Sequence, residues 1–372
     1  MSLPTPSFSR SQVNRAGDFL IAENAAQEAL EWAYDVLNNW RACHNYPVNT
    51  FQATLRQRLG HIDTNAIVAQ RLKRTPSIID KLKRFTGMKL SRMQDIGGLR
   101  AIVKSLPEVR SLDNAYQEGK LTHELVGSKD YIEHPKTTEY RSIHLIYKYK
   151  NPKTPDYDGL LLELQIRSRP QHAWATAVET MGTFLGEALK SSQGQQKWLR
   201  FFELTGSAFA YLERTPLVPG YENLSRQDTF RAVADAELEL GIIDKLDGFT
   251  VALNTIPTGK HPGTHYYHLI VLDSESRNVE VASYGRQNFS EATVAYAAAE
   301  ERIAKGDRLE AVLVSAGPLE SLRRAYPNYF LDTRDFIHRI QRIIQAAKAK
   351  PSQRPIQQSL PGMEKPARRR TR

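Results

Sequence analysis

The chain has 372 residues and a single cysteine, Cys43. One thiol closes no intrachain disulfide and builds no cysteine-based zinc site, so neither a disulfide framework nor a zinc finger can organise the fold. The N-terminus lacks a cationic lead followed by an apolar core, and no apolar run approaches the ~20 residues that span a bilayer. The expectation is a cytoplasmic protein with no membrane partner. A glycine-rich dinucleotide fingerprint and internal repeats are also missing. Between Arg71 and Asp95 acid itself is scarce: Asp80 alone interrupts Arg71, Lys73, Arg74, Lys81, Lys83, Arg84, Lys89 and Arg92. Such a run is a solvated helix face or an anion-binding patch.

What is present suits two folded domains and a tail. Residues 9–60 read helical, with Leu30, Ala33, Leu37 and Trp40 at helical spacing and a break at Pro47. Two strands follow the basic run, one ending near HLIYKY and one beginning LLELQIR. On a strand alternate residues share a face, so Tyr140, Ser142 and His144 form one trio and Glu163, Gln165 and Arg167 another. Simple amphipathicity also produces such alternation. Asp95 leads through Gly97-Gly98 into a further apolar strand, Leu99 to Val103. Carboxylates on two strands in a basic field are an arrangement for phosphate chemistry. They can hold Mg²⁺, and lysines and arginines neutralise phosphate charge.

Helix resumes from Gln171 to Glu213, where Trp198, Phe201, Phe202 and Phe209 read as core, and residues 215–220 (TPLVPG) read as a linker. Residues 1–215 carry 29 basic against 22 acidic side chains, residues 216–340 carry 13 against 18, and the tail from 341 carries 9 against 1. This charge split favours docking of the two halves, and the basic front favours an anionic partner. The second domain reads as a helix from Asp228 to about Leu240, then the runs GFTVALNTI, THYYHLIVLD and NVEVASY. A helix at 287–304, a strand at 311–315 and a helix at 333–347 complete it. His261, His265 and His268 do not make a metal site, because residues 265 and 268 face opposite sides of a strand and no cysteine or nearby acid joins them. Residues 348–372 read as a disordered basic tail.

Taken in order, RLKRTPS, DIGGLR, KDYIEHPK, EYRSIH and ELQIR resemble the motif set of the RelA/SpoT-type pyrophosphokinase domain. The resemblance implies an α+β fold, with a mixed-sheet, nucleotidyltransferase-like synthetase domain over 1–215. It also implies transfer of the β,γ-pyrophosphate of ATP to a ribose 3′-hydroxyl, with Mg²⁺ as cofactor. By motif position Arg71 and Arg100 would sandwich the adenine, and Lys73, Ser77 and Lys81 would hold the phosphates. Asp95 and Glu163 would carry the metal, with Glu163 as general base. Tyr140 would stack on the acceptor base, while Lys129, His144, Gln165 and Arg167 would orient the acceptor. Two departures stand out. Glu139 replaces the glycine that alarmone-making members usually carry before the tyrosine, and a carboxylate beside the acceptor would repel the 5′ polyphosphate of GDP or GTP. The familiar acidic-histidine ending after His172 is missing as well. Both point to the toxic small synthetases, whose acceptor is implied to be the 3′ end of tRNA. The alternatives are a regulated alarmone synthetase using GDP or GTP, and an inert RNA- or phage-binding module.

The segment LRRAYPNYFLD places Tyr326 and Tyr329 around a Pro-Asn pair, by chemistry a rigid aromatic knuckle that can simply anchor a loop. Together with the layout, it makes the chain resemble the CapRel group of fused toxin–antitoxin proteins. That likeness implies a smaller α+β, pseudo-zinc-finger-like antitoxin domain over 216–347. Its Tyr326 and Tyr329 would block the adenine pocket until a phage structural protein, such as a capsid protein, releases them.

Overall fold

The computed structural model describes residues 4–119, 121–185, 196–243, 246, 265–273, 278–285, 287–307, 309–315 and 333–348. Three helices open the chain: α1 (Arg10–Phe19), α2 (Gln27–Cys43) and α3 (Asn45–Ile62). Ser9 and Gln12 close a capping box on α1, satisfying two otherwise unpaired backbone donors. The break expected at Pro47 falls three residues earlier, at His44 between α2 and α3. Pro47 lies in the first turn of α3, where its missing N–H has no intrahelical partner to lose.

A five-stranded sheet follows, in the order β1-β2-β5-β4-β3. Its strands are β1 (Ile67–Leu72), β2 (Gly97–Val103), β3 (Glu124–Asp130), β4 (Ile143–Lys148) and β5 (Leu161–Ser168). β2 and β5 pair in parallel and the other neighbours are antiparallel, so the sheet is mixed and the first domain is α+β. Helix α4 (Thr75–Arg84) joins β1 to β2, and α5 (Leu106–Gln117) follows β2. One face carries Leu99, Ala101, Leu145, Tyr147, Leu162, Leu164 and Ile166, all buried within a single core against α3 and α5. At about 1.5–3 kcal/mol for each fully buried large apolar side chain, this face fixes which way the sheet turns. The polar residues are thereby committed to the opposite face.

Beyond β5 come α6 (Arg169–Leu185) and α7 (Gln196–Glu213), with residues 186–195 outside the described set. Trp198, Phe201, Phe202 and Phe209 are buried as expected. Their core also takes in Phe230 and Val233 of α8 (Arg226–Leu240) and Phe336, Ile337, Ile340 and Ile343 of α10 (Arg334–Lys348). The second core therefore runs across residue 215. Cutting the chain there would bare Phe201, Phe202 and Phe209 to water.

The remaining unit is a three-stranded antiparallel sheet, β7-β6-β8, formed by β6 (His265–Asp273), β7 (Asn278–Gly285) and β8 (Leu309–Ser315). Helix α9 (Phe289–Ala304) packs on it, and β8 touches β1 of the larger sheet. The strand expected at GFTVALNTI, His261, the knuckle at Tyr326 and Tyr329, and the basic tail lie outside the described residues. No described helix is long and apolar enough to cross a membrane.

Candidate active site

Strand register gathers the polar residues. Arg71 on β1 lies opposite Gly98, and Gly98 and Arg100 on β2 lie beside Glu163 and Gln165 on β5. His144 on β4 pairs with Gln165, and Lys129 on β3 pairs with His144. Partners in register share a face, so Arg71, Arg100, Lys129, His144, Glu163, Gln165 and Arg167 all project from the face opposite the main core. Gly98 is the bare floor between Arg71 and Glu163. Its neighbour Gly97 is required by crowding below: a Cβ there would come within 2.9 Å of both Leu162 and Val48.

The cationic cluster is built by the turn from β1 into α4. The Lys73 amide donates to the Ile96 carbonyl at 2.8 Å, tying this turn to the segment entering β2. Asp95 then receives two ammonium groups, Lys73 Nζ at 3.0 Å and Lys81 Nζ at 2.9 Å. Burial pushes the Asp95 carboxyl up, but the two lysine charges outweigh it and hold the group below the usual carboxylate range. Burial, helped by the Arg71 and Lys81 charges, outweighs Asp95 and leaves the Lys73 ammonium below the ordinary lysine range. Ser77 sits in the first turn of α4, whose N-cap residue, Arg74, makes no side-chain capping bond. The free amides and the helix dipole there favour an anion.

Across β4 and β5 runs a continuous hydrogen-bonded chain. His144 Nδ1 lies 2.8 Å from Glu163 Oε1, and Gln165 Nε2 donates to Glu163 Oε2 at 2.8 Å. Tyr140 Oη lies 2.7 Å from His144 Nε2, and Arg167 Nη2 donates to the same hydroxyl at 2.5 Å. A guanidinium can only donate, so with a neutral imidazole the tyrosine proton goes to Nε2 and the ring proton sits on Nδ1, facing Glu163. Burial raises the Glu163 carboxyl, yet the His144 hydrogen bond and charge, with Gln165, bring it below its ordinary value. It is therefore ionised at neutral pH. The Asp95 charge acts in the opposite direction on Glu163, so the two carboxylates sense each other. Two mutually repelling hard oxygen donors beside lysines fit a divalent cation that keeps most of its waters.

Two expectations change here. Tyr140 and Ser142 precede β4, which begins at Ile143, so strand alternation does not govern the first trio. Ser142 is fully buried and donates to the Ile166 backbone carbonyl at 3.1 Å, while Tyr140 still reaches His144. Glu139 does not face the acceptor. Its backbone is left-handed (φ 67°), the region that favours glycine, and its side chain turns into the second core. It lines a small pocket with Arg141, Gln171, Trp174, Gly206 and Phe209. Burial pushes its carboxyl up to about 10, so it is neutral at pH 7. A neutral, buried group cannot repel a polyphosphate, and this argument against GDP or GTP falls away.

Tyr131 was not singled out from the sequence. Its ring lies 5.2 Å from His144 and 5.9 Å from Tyr140, and the Lys136 ammonium sits 4.1 Å from its centroid. Arg167 Cζ lies 4.8 Å from the Tyr140 centroid. The available signal was the position of Tyr131 within KDYIEHPK, two residues after Lys129.

Residues 70–182 match the model of the region found in RelA / SpoT proteins, and they span every element carrying the sheet-face residues. Two curated relatives are both from Bacillus subtilis (strain 168). GTP pyrophosphokinase YjbM is 31% identical over 111 residues, 29% of this chain and 52% of the relative. GTP pyrophosphokinase YwaC is 32% identical over 114 residues, 28% of this chain and 52% of the relative. The chain thus spans about half the length of these relatives. Among solved structures, the small alarmone synthetase 1 from Bacillus subtilis aligns at TM-score 0.41 and 22% identity, covering 48% of this chain and 93% of that one. A GTP pyrophosphokinase family protein from Streptococcus pneumoniae aligns at 0.39 and 24%, covering 50% and 90%.

Proposed function

We propose that the chain is an ATP-dependent pyrophosphokinase whose acceptor is a ribose 3′-hydroxyl. The observation that carries this is the Lys73–Asp95–Lys81 cluster set close enough to the Glu163–His144–Tyr140 chain for the Asp95 charge to act on Glu163. In this reading Arg71 and Arg100 flank the adenine, and Lys73, Ser77 and Lys81 hold the phosphates. Asp95 and Glu163 hold Mg²⁺, which when bound offsets phosphate charge. The acceptor base stacks on Tyr140, set by Arg167 and His144, while Lys129 and Gln165 orient the rest. Glu163 takes the proton from the 3′-hydroxyl. The 3′-oxygen bonds to the β-phosphorus as the bond from that phosphorus to the α,β-bridging oxygen breaks, and AMP leaves with that oxygen.

For the acceptor we propose the 3′ end of tRNA, supported by the basic front half and the missing acidic-histidine ending. Modification there would stop aminoacylation, and hence translation, as a defence against phage. The C-terminal unit would hold the enzyme closed through Tyr326 and Tyr329 until a phage structural protein binds it. Support comes from β8, which lies against β1, the strand that carries Arg71. A tethered inhibitor acts at roughly millimolar effective concentration, so weak docking suffices. The second reading, a regulated alarmone synthetase using GDP or GTP, is favoured by the inward turn of Glu139 and by the names of the two relatives.

The deciding experiment gives γ-labelled ATP to the full chain carrying Tyr326→Ala and Tyr329→Ala, with tRNA or GDP as acceptor and a Glu163→Gln control. The expected result is labelled tRNA, unlabelled GDP, and more label than the parent chain yields. Label on GDP alone would establish the alarmone reading. No label on either, from folded protein, would leave a binding module.

A further inference from the structure

Arg41, on α2, belongs to no motif of the site, yet its guanidinium is buried against the phosphate turn. Nε donates to the Lys73 carbonyl at 3.0 Å and Nη1 donates to Thr75 Oγ1 at 2.9 Å. These two bonds clamp both ends of the three-residue turn that delivers Lys73 to Asp95 and starts α4. The third arm reaches out of the synthetase region altogether: Nη2 donates to Tyr296 Oη on α9 at 2.9 Å, and the guanidinium carbon lies 5.6 Å from the Tyr296 ring centroid. Tyr296 passes its own proton to Glu300 Oε1 at 2.7 Å, and burial raises its phenol well above the ordinary value. The hydroxyl is thus a neutral link between a fixed carboxylate and a fixed guanidinium. Arg41 and Thr75 are each only 8% exposed, so water is a poor substitute for any of these partners.

We propose that Arg41 is a positioning residue for the ATP-phosphate turn, and that Tyr296 makes it the point at which the C-terminal unit and the ATP site are coupled. The physical basis is that one rigid fork carries both sets of bonds. Lys73 and Thr75 cannot shift to accept phosphate without moving the guanidinium, and the guanidinium cannot move without loosening its bond to α9. Coupling of this kind is reciprocal: what tightens the turn on ATP changes docking, and docking changes ATP affinity. This inference rests on the reading of Lys73–Ser77 as the ATP-phosphate cradle. It adds a pair of residues, Arg41 and Tyr296, through which that site is regulated.

The test is a double-mutant cycle on the full chain, with binding of an α,β-methylene analogue of ATP read by calorimetry. Arg41→Met should weaken the analogue by about tenfold or more, and Arg41→Lys by less, since it keeps the charge and loses the fork. Tyr296→Phe removes one hydroxyl and should tighten the analogue by about fivefold in the parent chain. It should have no effect in the Arg41→Met background. Unchanged affinity in Arg41→Met, or an equal effect of Tyr296→Phe in both backgrounds, would overturn the coupling while leaving the pyrophosphokinase reading untouched. A weakening by Tyr296→Phe that vanishes with Arg41→Met would keep the coupling and reverse the inhibitory sense of docking. If Arg41→Met does not fold, the same cycle is run with Arg41→Lys. Analogue bound by none of the proteins, even with Tyr326→Ala and Tyr329→Ala added to open the adenine pocket, would overturn this inference together with the ATP site beneath it.

Discussion

Replacing Glu139 by glutamine should stabilise the protein most where the carboxyl is most reluctant to stay neutral. The folded-state pKa of Glu139 is raised from 4.5 to about 10 by burial beside Gly206 and Phe209, with Glu203 adding to the rise and Arg141 opposing it. An unfolded glutamate is ionised above about pH 4.3. Between those two values the folded state binds a proton that the unfolded state has released, so stability falls as pH rises. At pH 7.5 the distance travelled is about three pH units, an upper bound of about 4 kcal/mol at 1.36 kcal/mol per unit. Allowing for relaxation and water entry, about 2 kcal/mol is the expected gain on neutralising the group. Glutamine has nearly the same shape and no proton to lose. Urea denaturation at pH 5, 7.5 and 9 should show parent and variant nearly equal at the lowest pH and diverging upward. Parallel stability curves would show that Glu139 does not stay neutral in the fold, and would restore a charge next to Tyr140. The same variant should leave GDP labelling unchanged, because the carboxyl does not face the acceptor.

Two further outcomes follow from the site and its floor. Glu163→Gln keeps an acceptor for His144 but turns an amide NH₂ toward the Gln165 donor and removes the base, so pyrophosphate transfer should fall by roughly 10²–10⁴-fold; transfer within a few-fold of the parent would assign the base elsewhere. Gly97→Ala forces a methyl within 2.9 Å of Leu162 and Val48 and 3.1 Å of His44, and should cost about 1–3 kcal/mol by denaturant titration as an overpacking defect. A neutral effect would mean that α3 can move away from β2.

Much of the site was legible in the residues because its chemistry is local. Asp95, Lys73 and Lys81 lie within a short stretch, and a buried carboxylate needs the cations that the sequence places around it. Period-two spacing correctly put Glu163, Gln165 and Arg167 on one strand face, since β5 is a central strand with an apolar side of its own. The same rule misread Ser142. Tyr140 to Ser142 lie before the strand, and the left-handed turn at Glu139 resets which way each side chain points. Spacing cannot report a change of backbone region.

The sequence by itself determined the carboxylates Asp95 and Glu163, the cationic turn before α4 and the aromatic core of α7, because each follows from residue type and short-range period, while the class of fold came through the resemblance that its motifs carry. Tertiary structure alone decided where Glu139 points, that the second core runs across residue 215, and that Arg41 on α2 is joined to Tyr296 on α9. Each of these depends on partners tens or hundreds of residues away. A buried side chain takes its charge state and its direction from those partners, and the one-dimensional order of the chain does not hold them.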